Sequence, residues 1–258
     1  MNVNCVAVSI GNTRTRAAAF VAGKIAQTHA LDNNRLEGLS AVLGELVDVV
    51  RLLHGPQVLL SSVNPKLDDA VNDAIGSTWD QPVLRIETDL PVPIGRQLDH
   101  DTLVGEDRLL NAAAAYGVLK QACVVVDAGT AVTIDFVDGA GTFHGGAIGP
   151  GAQMMLDALR AQTAQLPKVT FAAPTEAIGR NTSDAMRSAV FHGLRGMVRE
   201  LVEQFAEMAG AYPMVIATGG DAETLFAEYD LVDRIVPELT LQGMAMALDV
   251  MVQTELES

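Results

Sequence analysis

Residues 124–135 read VVVDAGTAVTID, and residues 6–16, VAVSIGNTRTR, follow the same pattern. In each stretch an apolar β-branched run ends at a small polar or acidic residue, and a glycine follows two positions later. Strand-like alternation then resumes. This pattern predicts a strand, a tight turn and a second strand, with glycine at the bend.

The two stretches differ at the end of their first strand, where one carries Asp127 and the other Ser9. A carboxylate at a strand end can hold a metal ion directly or through water, while backbone amides and hydroxyls of the turn can face phosphate oxygens. One glycine turn of this kind is weak evidence for a ligand, but two related turns are stronger. The pair therefore predicts a phosphate and metal role.

Composition limits the class of protein. The 258 residues are 49% hydrophobic, which is enough for one large or two medium domains with real cores. Lys and Arg number 17 against 32 Asp and Glu, a formal charge of −15. This balance argues against nucleic acid or an anionic membrane as a main partner. A nucleotide would need local help from metal ions, glycine-rich backbone or a few arginines.

The two cysteines, Cys5 and Cys123, lie inside apolar strand-like runs. Free cysteines in such runs usually serve as small core residues, so we expect neither a disulfide nor a catalytic thiol. The first residues carry no basic region before a long apolar stretch. We therefore expect no signal peptide or membrane span and a cytoplasmic location.

Hydrophobic periodicity predicts two halves with a similar order of elements. Strands are expected at 17–21, 24–31, 57–63, 81–88, 122–127, 131–137, 142–148 and 214–217, and helices at 38–53, 65–75, 104–119, 153–162, 181–208, 222–228 and 242–254. Each half opens with a glycine turn after its first strand. This order predicts a duplicated α/β domain with boundaries at 1–118 and 119–258 and a nucleotide cleft between the copies.

Two further glycine clusters precede predicted helices. Residues 144–151 read HGGAIGPG, which suits close backbone approach to a ligand and a helix N-terminus facing it, or a tight turn with no ligand. Residues 218–221 read TGGD, a common site for adenosine or phosphate contact in α/β proteins. The alternative for TGGD is a loop in which Asp221 caps the helix.

The connecting helix opens with Gly105, Glu106, Asp107 and Arg108. Acidic residues in a first helical turn are usually dipole partners or caps. The functional alternative is that Asp107 is a general base beside an arginine that binds a carboxylate.

The order of these motifs resembles that of type III pantothenate kinases, members of the actin-like superfamily with the sugar and acetate kinases and the heat-shock chaperone ATPases. The family shows Asp-x-Gly-Asn-Thr, Gly-x-Asp-Arg, Asp-x-Gly-Thr-Ala-x-Thr, Gly-Gly-x-Ile-x-Pro-Gly and Thr-Gly-Gly-Asp. The matching segments here are SIGNT at 9–13, GEDR at 105–108, DAGTAVT at 127–133, GGAIGPG at 145–151 and TGGD at 218–221. Five motifs in one order are far more specific than any one of them.

The resemblance implies a fold and a reaction. The fold is α/β, with duplicated actin-like (ribonuclease H-like) domains, each a mixed five-stranded sheet with helices, and a nucleotide cleft between them. The reaction is ATP-dependent phosphorylation of pantothenate to 4′-phosphopantothenate, the first step of coenzyme A biosynthesis. The implied cofactors are ATP, magnesium and a monovalent cation, potassium or ammonium, near the second turn. The implied assembly is a homodimer.

The resemblance also assigns residues. Asp107 would take the proton from the pantothenate hydroxyl, and Gly105 and Arg108 would bind that substrate. Thr182 matches a threonine that the partner subunit supplies to the pantothenate pocket. Asp127 would serve the metal, and the residues assigned to ATP and its phosphates are Ser9, Gly11, Asn12, Thr13, Arg14, Gly129, Thr130 and Gly219.

Ser9 stands where the family has aspartate, and a neutral hydroxyl there should weaken the metal site. Serine hydroxyls nevertheless coordinate magnesium in other nucleotide enzymes. The leading interpretation is a working pantothenate kinase with weakened metal affinity. The alternatives are a non-catalytic or weakly active relative that keeps the fold and binds ligand for regulation, and a different kinase or phosphatase of the same superfamily.

Overall fold

The computed structural model describes residues 3–257, which form eleven strands and seven α-helices. The strands are β1 (Cys5–Ile10), β2 (Arg14–Val21), β3 (Lys24–Asp32), β4 (Gln57–Ser62), β5 (Val83–Arg85), β6 (Gly95–Arg96), β7 (Cys123–Ala128), β8 (Ala131–Val137), β9 (Thr142–Pro150), β10 (Met214–Thr218) and β11 (Arg234–Ile235). The helices are α1 (Leu39–Val50), α2 (Asp68–Gly76), α3 (Glu106–Leu119), α4 (Ala152–Ala161), α5 (Thr182–Ala209), α6 (Ala222–Phe226) and α7 (Leu239–Glu257).

The strands form two mixed sheets with the same core topology. The first sheet has the order β3-β2-β1-β4-β5, and the second has β11-β10-β7-β8-β9-β6. In the first sheet β1, β2 and β3 pair antiparallel in succession, and β4 and β5 lie parallel to β1. In the second sheet β7, β8 and β9 pair antiparallel in the same way, and β10 and β11 lie parallel to β7. The predicted duplication of an actin-like α/β domain is confirmed.

The central strands β1 and β7 match residue by residue. Both span six residues and begin with a buried cysteine, Cys5 or Cys123. In both, the fifth residue alone is partly exposed while the other five are buried; that residue is Ser9 in β1 and Asp127 in β7. Ser9 and Asp127 are therefore structural counterparts.

The second sheet has one strand more than the predicted five. The extra strand is β6, whose two residues pair in parallel with Thr142 and Phe143 at the edge of β9. A strand of two residues contains no complete alternation, so periodicity gives no signal for it. The same reason explains why the two-residue β11 was absent from the predicted elements.

Contacts group the described chain into two compact units, each containing one sheet. The first unit contains the residues up to Ile94, Asp101–Gly117 and the residues from Glu238 onward, and the second contains Gly95–His100 and Val118–Pro237. In the first unit α7, from the end of the chain, packs against β1 and β2. The domain limits 1–118 and 119–258, and the nucleotide cleft between the halves, stay predictions.

Both cysteines are core residues with free thiols, as predicted. Each is fully buried, and burial raises the pKa of each thiol to about 12. A thiol with such a pKa is a poor nucleophile at neutral pH. No helix within residues 3–257 has the length and apolar character needed to span a membrane.

Helices α3 and α7 pack closely in the first unit because Gly243 lies against the backbone of α3. A Cβ atom at Gly243 would overlap the carbonyl oxygen of Leu110 and lie 2.8 Å from its carbonyl carbon. Beside this contact, the Thr240 hydroxyl donates to Asn111 Oδ1 at 2.8 Å. This contact fixes α3, whose first turn carries Asp107.

We expect Gly243→Ala to lower the free energy of unfolding by about 1–3 kcal/mol, because backbone cannot yield to the added methyl group. Chemical denaturation of the full chain measures the change. Gly44→Ala is the matched control, since Gly44 lies inside α1 of the same unit and its Cβ would meet only Thr78 Cγ2, at 3.6 Å. In the control the free energy of unfolding should increase by up to ~1 kcal/mol, because alanine has a higher helix propensity than glycine. Equal stability of the two variants would contradict the close packing of α3 and α7.

Candidate active site

Asp127 is the last residue but one of β7, the central strand of the second sheet, and it lies between two threonines. Its register partners are Thr133 on β8 and Thr218 on β10. Gly219 follows Thr218 with φ +96° and lies against the carboxylate, since a Cβ there would be 2.5 Å from Asp127 Oδ1 and would overlap the Ala128 carbonyl oxygen. Only glycine allows both the positive φ and this approach. The TGGD loop therefore closes on Asp127.

The turn after Asp127 is contacted from a second side by the end of β9. The Gly129 amide donates to the Ala131 carbonyl at 3.0 Å and the Gly151 amide to the Thr130 carbonyl at 3.1 Å. A Cβ at Gly151 would overlap the carbonyl oxygen of Gly129. Gly151 is also the N-cap residue of α4, so a helix N-terminus begins beside the turn. Backbone amides of this kind are a common phosphate environment.

Other residues of the two glycine clusters have structural roles. Gly146 pairs with Asp135, and a Cβ there would overlap the Ile134 carbonyl oxygen, so its glycine is required by strand packing. Asp221 occupies the N-cap position of α6 without a side-chain capping bond, and its amide donates to the Ala128 carbonyl at 2.9 Å. The TGGD loop is thus tied by its backbone to the end of β7.

The first turn is held by a residue that the sequence patterns did not indicate, Asn33. Its Nδ2 donates to the Gly11 carbonyl at 2.8 Å, its amide donates to the Thr13 carbonyl at 2.9 Å, and its Oδ1 accepts from the buried Thr15 hydroxyl at 2.8 Å. Asn12, Thr13 and Arg14 are exposed at the tip of the turn. A short polar side chain just after a strand gives no signal beyond that of an ordinary loop.

The two turns differ in length by one residue. In the first turn, residues 11–14 connect Ile10 to its register partner Thr15. In the second turn, residues 129–131 connect Ala128 to its register partner Val132. The Gly11 amide closes the longer turn by donating to the Arg14 carbonyl at 3.0 Å. The first turn therefore presents three exposed residues, whereas the second presents one, Thr130.

Asp107 lies in the first turn of α3, where it accepts a hydrogen bond from the Arg108 amide at 2.8 Å. Gly105 lies against this carboxylate, since a Cβ there would be 2.7 Å from Asp107 Oδ1. Burial raises the pKa of the Asp107 carboxyl, although the Arg108 amide and the Arg108 charge act against it. The Asp107 carboxylate therefore binds a proton more readily than an exposed one.

Glu106 is a second acidic residue of this turn that was not among the predicted site residues. Its Oε2 accepts from the Ser61 hydroxyl at 2.7 Å and from the Ser62 amide at 3.2 Å. Burial raises the pKa of its carboxyl, and the charges of Glu87 and Asp107 add to the increase. Ser61 is the register partner of Ser9. Glu106 therefore links the start of α3 to the strand beside Ser9.

Thr182 is the first residue of α5 and is exposed. Asn181 precedes it as a true N-cap, whose Oδ1 accepts from the Asp184 amide at 2.9 Å. A Cβ at Gly179 would overlap the Ala185 amide nitrogen, so the preceding loop lies tightly against the helix start. Thr182 is thereby presented on a defined backbone.

The donor set fits magnesium. Within residues 3–257 no group of three or more His, Cys, Asp or Glu side chains is arranged to hold a metal ion. Mg²⁺ in nucleotide enzymes is usually held by one or two carboxylates, water and substrate phosphates, so a larger cluster is not required. Asp127, with the hydroxyl-bearing Thr218 and Thr133 as its register partners, has the oxygen chemistry that this ion prefers.

Comparison with known proteins gives one consistent family. Residues 5–204 match the model of the type III pantothenate kinase family. The type III pantothenate kinase of Dehalococcoides mccartyi strain ATCC BAA-2266 is 33% identical over 249 residues, which cover 95% of this chain and 96% of the relative. That of Frankia alni is 31% identical over 249 residues, covering 95% and 98%.

A likeness in structure agrees with the fold. A crystal structure from Campylobacter jejuni, described as that of a Baf family transcriptional activator, superposes with a TM-score of 0.59 at 19% identity. The superposition covers 96% of this chain and 99% of that chain. At this identity the likeness shows the shared fold alone.

Proposed function

Since the chain belongs to the type III pantothenate kinase family, we propose that it transfers the terminal phosphoryl group of ATP to pantothenate, with Asp107 as the general base. The product is 4′-phosphopantothenate, and the reaction is the first step of coenzyme A biosynthesis. The observation that carries the proposal is the Asp107 carboxyl, which is half-buried and held by the Arg108 amide at the start of α3.

Asp107 is suited to take a proton from a hydroxyl group. Burial raises the pKa of its carboxyl, so the carboxylate binds a proton more readily than an exposed one. Its Oδ1 is fixed by a 2.8 Å hydrogen bond, which limits rotation of the group. Gly105 leaves the carboxylate uncrowded, because a side chain there would press on Oδ1. In this proposal Arg108 binds the pantothenate carboxylate through its charge.

The two turns are assigned to the phosphates of ATP. Asp127 would hold the magnesium ion, and Gly129, Thr130 and Gly219 would offer amides and a hydroxyl to phosphate oxygens. The first turn would add Gly11, Asn12, Thr13 and Arg14, with the Ser9 hydroxyl behind them. Magnesium supplies charge neutralisation of the transferring phosphoryl group, and the protein contributes position and orientation. The convergence of Gly219 and Gly151 on the second turn supports this assignment.

The proposal includes a homodimer in which Thr182 of each chain closes the pantothenate pocket of its partner. The exposure of Thr182 and the capped start of α5 support a residue presented outward on a rigid element. A monovalent cation, potassium or ammonium, is assigned near the second turn. A cytoplasmic location is assigned because both cysteines are free thiols, as is usual in reducing compartments.

The purified full chain tests the proposal directly. It is incubated with ATP, Mg²⁺ and pantothenate, and the phosphorylated product is identified by mass spectrometry. Acetate and glucose serve as alternative acceptors, because acetate and sugar kinases share the superfamily. We expect magnesium-dependent phosphorylation of pantothenate alone. Binding of pantothenate without phosphorylation at any magnesium concentration would overturn the proposal.

A further inference from the structure

The first sheet replaces a carboxylate with a hydroxyl at the end of its central strand. In the second sheet Asp127 pairs with Thr218 on the neighbouring parallel strand, while in the first sheet Ser9 pairs with Ser61. One sheet thus presents a carboxylate beside a hydroxyl, and the other presents two hydroxyls. The missing negative charge is the difference between otherwise equivalent strand ends.

Glu106 brings a carboxylate to this hydroxyl pair from another element. Partners in adjacent parallel strands point their side chains to the same face, so Ser9 and Ser61 project side by side, with strands about 4.8 Å apart. The Glu106 Oε2 atom lies 2.7 Å from the Ser61 hydroxyl. The carboxylate of Glu106 therefore lies next to the face on which Ser9 stands.

One oxygen of Glu106 is left for another ligand. The Ser61 hydroxyl and the Ser62 amide both donate to Oε2. Among the side chains and amides of residues 3–257, none donates to Oε1, and no Lys, Arg or His forms an ion pair with the carboxylate. Two donors orient the group while its second oxygen remains available.

The local charge favours a cation at Glu106. The carboxylate is half-buried, and the charges that act on it are the acids Glu87 and Asp107. A partly desolvated carboxylate among like charges is unfavourable unless a cation accompanies it. Magnesium, which prefers one or two carboxylates with water and phosphate, fits this environment.

We propose that Glu106 supplies, directly or through a bound water, the carboxylate that Ser9 lacks for the magnesium ion of the nucleotide. Ser61 and Ser62 hold the carboxylate in place. The carboxylate ligand of the metal thus comes from the start of α3 and not from the end of β1. The inference rests on the proposed function only in taking magnesium nucleotide as the ligand. It explains how the first turn can serve a metal with serine in the place of aspartate.

The test measures metal affinity without catalysis. Mn²⁺ is titrated into the full chain with a non-hydrolysable β,γ-imido analogue of ATP and no pantothenate, and bound Mn²⁺ is followed by electron paramagnetic resonance. We expect Glu106→Gln to weaken Mn²⁺ binding about 10-fold, within the range for residues that orient or complete a metal site. In the Ser9→Asp background the same substitution should lower the Mn²⁺ affinity by less than about 2-fold, because a carboxylate is again present at position 9.

Glu87→Gln is the matched control, because it removes an equal charge near Glu106 from a residue whose Oε1 accepts the Val92 amide. It should leave Mn²⁺ affinity within about 2-fold of the parent. Thermal unfolding of each variant shows whether the fold is kept, and Glu106→Asp, which retains the charge, should bind Mn²⁺ more tightly than Glu106→Gln. The inference would be overturned if Glu106→Gln left the Mn²⁺ affinity unchanged. It would also be overturned if Glu106→Gln lowered the Mn²⁺ affinity equally in the parent and in the Ser9→Asp background.

The outcome is separable from that of the proposed function. If the chain fails to phosphorylate pantothenate but Glu106→Gln weakens Mn²⁺ binding as expected, the role of Glu106 stands and the substrate assignment fails. If the chain is an active kinase and Glu106→Gln binds Mn²⁺ normally, Glu106 is a structural brace between α3 and β4.

Discussion

Replacing Asp107 by asparagine is expected to lower kcat for pantothenate phosphorylation about 10³-fold, within the usual range for loss of a general base. The asparagine amide has the same shape but cannot take the proton of the attacking hydroxyl. The KM for pantothenate should change little, because Arg108 and Gly105 remain. Steady-state rates are measured by release of ADP and confirmed by mass spectrometry of the product.

Asp69→Asn is the control for this substitution, since Asp69 is an exposed acid in the first turn of α2 in the same unit. It should keep kcat within about 2-fold. Calorimetry of pantothenate binding to Asp107→Asn shows whether the pocket is intact. A variant that binds pantothenate and retains kcat within a few-fold of the parent would exclude Asp107 as the base.

Replacing Asp127 by asparagine is expected to lower kcat/KM for magnesium-ATP about 10²-fold, which corresponds to ~3 kcal/mol of lost stabilisation. The substitution keeps the shape on which Gly219 packs and removes the negative charge that binds the ion. Part of the loss should be recovered at high Mg²⁺ concentration, because weaker metal binding can be offset by mass action. The rate is therefore measured over a series of Mg²⁺ concentrations.

Asp157→Asn, an exposed position on α4 of the same unit, is the control and should keep the magnesium dependence of the parent. If Asp127→Asn keeps the rate and the magnesium dependence of the parent, Asp127 does not bind the metal ion. Circular dichroism of the same sample shows whether a loss of activity is caused by unfolding.

Much of the fold was predictable because its elements are local and periodic. The apolar runs before Ser9 and Asp127 gave the central strands, and the glycine two positions later gave each turn. The 28-residue helix α5 showed its amphipathic pattern over its whole length. The similar order of elements in the two halves indicated that the α/β domain is duplicated.

What the sequence did not indicate depends on contacts between distant residues. Asn33 reaches the Gly11 carbonyl across 22 positions, and Glu106 reaches the Ser61 hydroxyl across 45. The packing of α7 against β1 joins opposite ends of the chain. Such pairs leave no mark in local spacing, because either partner alone is an ordinary polar or apolar residue.

The central claim is that this chain is an active pantothenate kinase with serine at position 9. The most direct measurement compares the parent protein and Ser9→Asp for magnesium-dependent formation of 4′-phosphopantothenate under the same conditions. We predict that the parent is active and that Ser9→Asp changes kcat by less than about 10-fold, because Asp127 remains and the Glu106 carboxylate accepts a hydrogen bond from Ser61, the register partner of Ser9. Activity that appears only in Ser9→Asp would contradict the claim and identify the chain as a non-catalytic relative of the kinases.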